Sequence, residues 1–370
     1  MTPDPSARYH RLQLALMLVA LAVDGMYLSG MAWAGGGRWL AALARRWSEF
    51  WFIEVAMVAA LLGLFHAVAT FPLTWTRSYR LPKRFGLLHQ PLGGWLRDRA
   101  KGAALGGLFA LFAVETMYAL MRTTEWWWLI AAALFWFASM LIATILPVWI
   151  VPLFYRLTPL TDPPLSARLT ALAARARIPV IGVYVADHSR KSRTANAMLA
   201  GIGRTRRIIL FDTLVRDFPP DEVESVLAHE LGHHVHADVW RGLAVQGAVT
   251  LGSFWLADAA LRATAGALGL SGIGDPAGLP WVAFLLGSVG LAALPLVNAA
   301  SRAMERSADD FAVTLTQNAT AFIAAMERLA GLNLAERKPS RIKEIFLFSH
   351  PALDRRIARA ARAVPVPRTG

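Results

Sequence analysis

The sequence predicts a mainly α-helical protein: a polytopic membrane helical bundle of about six spans carrying a small cytoplasmic α+β insert. Three observations carry this reading: long apolar runs, one break in composition between them, and a histidine pair at helical spacing. Of the 370 residues, 56% are hydrophobic, against roughly 45–50% apolar in soluble domains. Mean hydropathy is +0.43. The competing reading, a large soluble protein with buried helices, does not need runs above the roughly 18 residues that cross a bilayer.

The expected spans are 12–34, 51–76, 102–121, 126–155, 239–261 and 280–303. The run from Leu12 to Met31 is too long for a secretory signal and reads as the first anchor. "EWWWL" at 125–129 reads as an interfacial tryptophan belt. The fifth segment opens on Asp238 and Arg241 and is the least apolar at its start. Between the fourth and fifth, "LTPLTDPP" (157–164) marks a boundary and "LSARLTALAARARI" (165–178) has helical periodicity. "VIGVYVAD" (180–187), "TANAMLAG" (194–201) and "RRIILFD" (206–212) read as short strands. The expected organisation is a four-helix membrane module (1–156), the α+β insert (157–220), a catalytic region with two spans and C-terminal helices (221–363), and a disordered tail (364–370).

Formal net charge is +13. With six spans, the basic residues around Arg8, Arg77 to Lys101, the 156–238 stretch and the C-terminal tail all fall on one side. The positive-inside rule makes that side cytoplasmic, where Lys and Arg meet anionic lipid. No nucleic-acid-binding motif accompanies the charge, so nucleic acid is excluded as a partner. Asp24 and Glu54 lie near segment ends and can reach water, whereas Glu115 and His66 are expected to face a bundle interior or a wet cavity.

There are no cysteines, so a metal must sit on histidine and carboxylate. His229-Glu230-Leu231-Gly232-His233 fits H-E-x-x-H, which on a helix turns two imidazoles toward one Zn²⁺ with a glutamate between them as general base. Helix context is present: Pro-Pro-Asp opens the stretch, and Val223, Val226, Leu227 and Leu231 form an apolar face. Gly232 is a poor helix former and suggests close approach of another backbone or of a substrate. The third ligand is sought among Glu305, Asp309 and Asp310 of "SRAMERSADDFAVTL". Glu305 and Asp309 share a helical face, so one can bind zinc while the other holds a histidine N–H. His234 and His236 read as solvent-facing bystanders. His188, Asn196 and His350 are polar candidates for handling substrate or oxyanion.

Several separate stretches resemble one family. They are "FPLTWTRSYRLPKRFGLLHQPLGGWLRDRAKG" (71–102), "SRKSRTANAMLAGIGRTRRIILFDTL" (189–214), "LAHELGHH", "MERSADDFA" and "FSHPALDRRI" (348–357). Nearly the whole chain is similar to the Ste24 family of membrane zinc metalloproteases, the type I CAAX prenyl proteases of peptidase family M48. The resemblance implies one zinc ion on His229, His233 and Glu305, Glu230 as catalyst, and Asp309 behind a ligand histidine. It implies that Asn196 and Ala197 lie on an edge strand that pairs with substrate backbone, and that His350 and Arg356 approach the scissile bond. Family members show seven membrane helices around a large water-filled chamber, against six expected here, with the family's first helix unmatched. Pro82-Lys83 and Gly86-Leu87-Leu88 stand where the family has acidic residues and Gly-Phe-Asn.

The implied function is a membrane-embedded zinc metalloendopeptidase acting at the cytoplasmic face on membrane-associated or C-terminal, CAAX-like peptides. Its partners would be such a peptide or membrane protein and the lipid bilayer. The Ala- and Arg-rich composition points to a bacterial inner membrane. A quality-control protease clipping damaged membrane proteins is the alternative within the class. A non-catalytic scaffold or transporter, using Glu115 and His66 in the bundle, is the alternative outside it.

Overall fold

The computed structural model describes residues 5–145, 149–201 and 203–363; the tail expected to be disordered, 364–370, lies outside the described residues. The bundle opens with α1 (Pro5–Trp33), α2 (Gly36–Arg45) and α3 (Trp51–Trp75). A π-helical turn, Thr76–Arg80, carries α3 into the short α4 (Leu81–Arg84). Pro82, just after the turn, has no N–H for the carbonyl of Ser78 four residues back, and Leu81 N bonds Thr76 O instead. The helices α5 (Leu92–Thr123), α6 (Trp127–Ile145) and α7 (Val151–Phe154) follow.

Among the described residues, four helical segments are long and apolar enough to cross a membrane: Pro5–Trp33, Trp51–Arg84, Leu92–Thr123 and Pro276–Thr316. Trp127–Ala143 is a shorter apolar helix within the expected segment 126–155, of which 146–148 lie outside the described residues. These segments bear out the expected membrane helical bundle. The fifth expected segment is the 27-residue helix Asp238–Thr264, whose charges are answered within the protein. Trp127 Nε1 donates to Asp258 at 2.6 Å, and Arg262 Nε donates to the same carboxylate. Trp127 is consequently fully buried while Trp126 is 62% exposed, so "EWWWL" is only partly a belt.

His66 lines a bundle cavity of about 1050 Å³ between the long helices, as expected. Glu115 keeps a buried carboxylate oxygen without a hydrogen-bond partner among the described residues. Asp24 does not simply face water; it meets His66 Nε2 at 2.7 Å. Glu54 is buried and pairs with Arg45 at 3.3 Å.

The soluble portion starts with β1 (Leu157–Pro159), α8 (Pro163–Arg175), β2 (Val183–Ala186), β3 (Ala197–Ala200), β4 (Arg207–Phe211) and α9 (Asp212–Asp217). Strand order is β1-β2-β4-β3, with β2 and β4 parallel and the outer pairs antiparallel. The strand β1 arises inside the stretch expected to be only a boundary. As an edge strand it tolerates Pro159. Asp162 caps α8 by accepting from Leu165 N at 2.9 Å.

The chain continues through α10 (Pro220–Val235), α11 (Asp238–Thr264), α12 (Leu279–Thr316), α13 (Ala319–Asn333), α14 (Arg341–Leu347) and α15 (Leu353–Ala361). Leu169, Leu172, Ile208, Leu210, Leu227, Leu231 and Phe322 are all buried in one core cluster. That cluster welds α10 to the sheet, α8 and α13, so the metal-motif helix sits on a rigid base. The loop after α4 joins the bundle to this base. Leu88 bridges Ser192, His89 N donates to Lys191 O at 2.9 Å, and Lys191 Nζ donates to Asp98 at 2.6 Å.

Candidate metal centre

The helix α10 forms because Pro220 occupies its first turn with Asp221 and Glu222 against the positive end of the helix dipole. Burial of Val223, Val226, Leu227 and Leu231 orients it. Its i, i+4 spacing then brings His229 and His233 to α12. Gly232 sets how close: a Cβ there would lie 3.0 Å from Ala308 Cα and 3.2 Å from its carbonyl oxygen. Of the two explanations the sequence left open, close approach of another backbone is the observed one.

That approach inserts Glu305, 6% exposed, between the imidazoles. His229 Nε2 lies 3.2 Å from His233 Nε2 and 3.3 Å from Glu305 Oε2. His233 Nε2 lies 3.5 Å from Glu305 Oε1. Zinc bonds of 2.0–2.1 Å in a tetrahedron require ligand–ligand edges of about 3.3–3.4 Å. The three residues fit a single metal ion. Their ligand atoms converge with all separations within 4.8 Å.

Each imidazole is held from behind by a carboxylate. His229 Nδ1 lies 2.9 Å from Asp309 Oδ1, and His233 Nδ1 lies 2.9 Å from Asp238 Oδ2. A proton on each Nδ1 leaves each Nε2 lone pair facing the centre. Arg356 forks onto Asp309 through Nε (2.8 Å) and a terminal nitrogen (2.6 Å). Arg241 donates to Asp238 at 3.3 Å. The sequence reading missed Asp238's role. Its signal is an acid five residues past His233, brought back by a left-handed turn at Ala237 (φ 55°).

Burial works against charge on His229, but Asp309 and Glu305 overcome it and raise its pKa to about 9. A cation is therefore what this cluster favours. Burial pushes the Glu230 carboxyl above the ordinary range, with His229 and His233 pulling the other way. Glu230 faces a cavity of about 390 Å³ that Asn196, His350 and Arg356 also line. His350 Nε2 lies 3.1 Å from Glu305 Oε1 with 55% of its side chain exposed. Asn196 is exposed just before β3, where its carbonyl accepts from Phe211 N at 3.0 Å. Ala197 opens that edge strand.

Three histidines depart from expectation. His188 lies outside this cavity: it stacks on Phe211 at 4.0 Å and its Nε2 meets Thr194 Oγ1 at 2.8 Å. His234 is half-buried and hydrogen-bonds the Leu199 backbone, and burial lowers its pKa. His236 packs edge-on against Phe311 at 5.7 Å, since seven residues past His229 is two full turns on the same face. Neither His234 nor His236 is a solvent-facing bystander.

The comparisons with known proteins agree with this arrangement. Residues 159–364 match peptidase family M48, and residues 2–156 match the CAAX prenyl protease N-terminal family, described as five membrane helices. An uncharacterized metalloprotease of Bacillus subtilis is 30% identical over 87% of this chain and 78% of its own length. CAAX prenyl protease 1 of Saccharomyces cerevisiae is 34% identical over 48% of this chain, a match spanning 41% of the yeast protein. The crystal structure of S. mikatae Ste24p shares the fold, with a TM-score of 0.82 at 24% identity over 96% of this chain and 88% of that one. From the helix pair that gathers two histidines and a glutamate to the family matches along both halves, the chain belongs to peptidase family M48 and is an integral-membrane metalloprotease of the Ste24 type.

Proposed function

We propose that the chain is an endopeptidase working with one zinc ion on His229, His233 and Glu305. The observation that carries this is the near-tetrahedral spacing of the three residues beside Glu230, which faces a cavity of about 390 Å³. Bound zinc would supply a Lewis acid that brings the pKa of water toward neutrality. Glu230, with its raised pKa, suits a base that takes the proton from the attacking water and returns it to the leaving amine. His350 can donate to the scissile carbonyl oxygen as charge develops there. Asp309 and Asp238 fix the imidazoles, and Arg356 holds Asp309 while bordering the cavity wall.

Substrate pairing is assigned to the edge of β3 that begins at Asn196 and Ala197, by strand addition. The substrate class is membrane-associated or C-terminally exposed peptide, CAAX-like ends included, which the yeast relative's name supports. The membrane module (1–156), insert (157–220) and catalytic region (221–363) divide this work. The distribution of Lys and Arg supports a site facing the cytoplasm, and the Bacillus relative supports a bacterial cell membrane. The test compares membrane proteins and their C-termini between cells carrying the parent chain and E230Q. Mature C-termini found only with the parent support the reading. Internal cuts confined to damaged membrane proteins would favour quality control, and identical C-termini and fragments in both strains would contradict proteolysis.

A further inference from the structure

Beyond Asp309, sharing Pro351 and Arg356 with the peptide cavity as a common wall, lies a second cavity of about 490 Å³ walled by the C-terminal part of α12 with α14 and α15. Seven arginines line it against two carboxylates, Asp309 and Glu344. Both carboxylates are already engaged. Arg356 forks onto Asp309, and Arg355 pairs with Glu344. Arg359 turns to Asp310 at 2.6 Å. The remaining four, Arg302, Arg306, Arg341 and Arg362, meet no carboxylate among the described residues. Arg302 donates to the carbonyls of Glu344 and Phe348, each at 2.7 Å, and Arg362 donates to the Ala358 carbonyl at 3.2 Å.

Four guanidinium charges around one cavity repel each other unless an anion joins them. Their planar forks match phosphate oxygens in pairs. The cavity also lies where apolar surface ends on α12. Leu296 is 64% exposed, Asn298 Nδ2 donates to Phe346 O at 2.8 Å, and Arg302 comes one turn later. The helix α14 is thereby strapped across that boundary. It leaves Ile342, Ile345 and Phe346 exposed, and Ile345 also lines the cavity. A basic pocket beside an exposed apolar strip, at the end of a membrane helix, has the two surfaces of a phospholipid's phosphate and acyl chains.

We propose that this cavity binds the phosphate of an anionic phospholipid, whose chains lie over Ile342, Ile345 and Phe346. The bound phosphate would neutralise the arginines that gather α14 and α15 against α12. It would thus brace the helix that supplies Arg356. The phosphate site is a binding site separate from the metal centre, and its test does not use cleavage.

The test uses the full chain in a neutral maltoside detergent. Equal amounts of dioleoyl phosphatidylglycerol and dioleoyl phosphatidylcholine are added, and native mass spectrometry counts the lipids retained. The parent should retain the anionic lipid about tenfold over the zwitterionic one, and phosphatidylglycerol should raise its Tm. The triple variant R306Q/R341Q/R362Q should lose that preference while its lipid-free Tm stays near the parent's. Should the triple variant fail to fold, R341Q, at an exposed position on α14, is read by the same lipid ratio. Equal retention of both lipids by the parent, or an unchanged preference in the variants, would overturn the proposal. Inorganic phosphate raising Tm as far as phosphatidylglycerol would overturn the lipid assignment and leave a phosphate site.

Discussion

At the scale of single residues, the candidate centre depends on distances that small side chains control. G232A should place a methyl group 3.0 Å from the α12 backbone at Ala308, which the helices can relieve only by separating a few tenths of an ångström. Glu305, three residues earlier on α12, then draws back from the imidazoles. We expect a folded chain whose zinc affinity falls about tenfold, read by chelator competition; unchanged affinity would count against the close-approach account. D238N tests the carboxylate behind His233. Asparagine keeps the shape but loses the charge that favours a proton on Nδ1, so zinc affinity should fall about 10–100-fold. Zinc binding equal to the parent's would assign Asp238 to its pairing with Arg241 in the first turn of α11 alone. Legibility differs between these positions. His229, Glu230 and His233 were readable because helical spacing fixes their common face, and Glu305 with Asp309 because the same spacing repeats on α12. Asp238 was not readable, because it lies beyond a left-handed residue, Ala237, that no periodicity predicts.

At the scale of elements, β3 is a sheet edge packed beside α10, with His234 touching the Leu199 backbone. If substrate extends this edge, its own amides carry the binding. A cleavable peptide N-methylated on an amide that pairs with β3 should lose about tenfold in kcat/KM, since each lost hydrogen bond leaves a partner unsatisfied. The same methyl group one residue along, pointing to the other side of the strand, should cost little. Equal losses at both positions would remove strand addition from the account. The elements also show what hydropathy leaves out. Asp238–Thr264 reads as a span despite Asp258, and that carboxylate is answered by Trp127 and Arg262 inside the bundle. Hydropathy could not show which partners make that carboxylate tolerable in a membrane bundle. The strand β1 was hidden for a different reason: prolines that mark a boundary are also tolerated on an edge.

At the scale of the whole molecule, two distant stretches of sequence form one joint. Lys191, 7% exposed, donates to Asp98 and sits 4.5 Å from the centre of the Tyr155 ring, binding the sheet region to the membrane bundle. K191M keeps the stem but removes the charge, leaving Asp98 with only Gln90 as donor at 2.7 Å. Loss of a partly buried, hydrogen-bonded charge should destabilise the fold by about 2–3 kcal/mol, seen as a lower Tm in detergent. An unchanged Tm would mean that the backbone contacts around Leu88 and Ser192 suffice for the joint. The central claim spans all three scales: membrane helices and a small sheet hold one metal beside one base. Its most direct test is paired measurement of zinc content and peptide cleavage for the purified parent chain and E230Q. The account predicts one zinc per chain in both and cleavage by the parent alone, with E230Q slower by at least about a hundredfold. Cleavage by E230Q at the parent's rate, or a parent that binds no zinc, would contradict it.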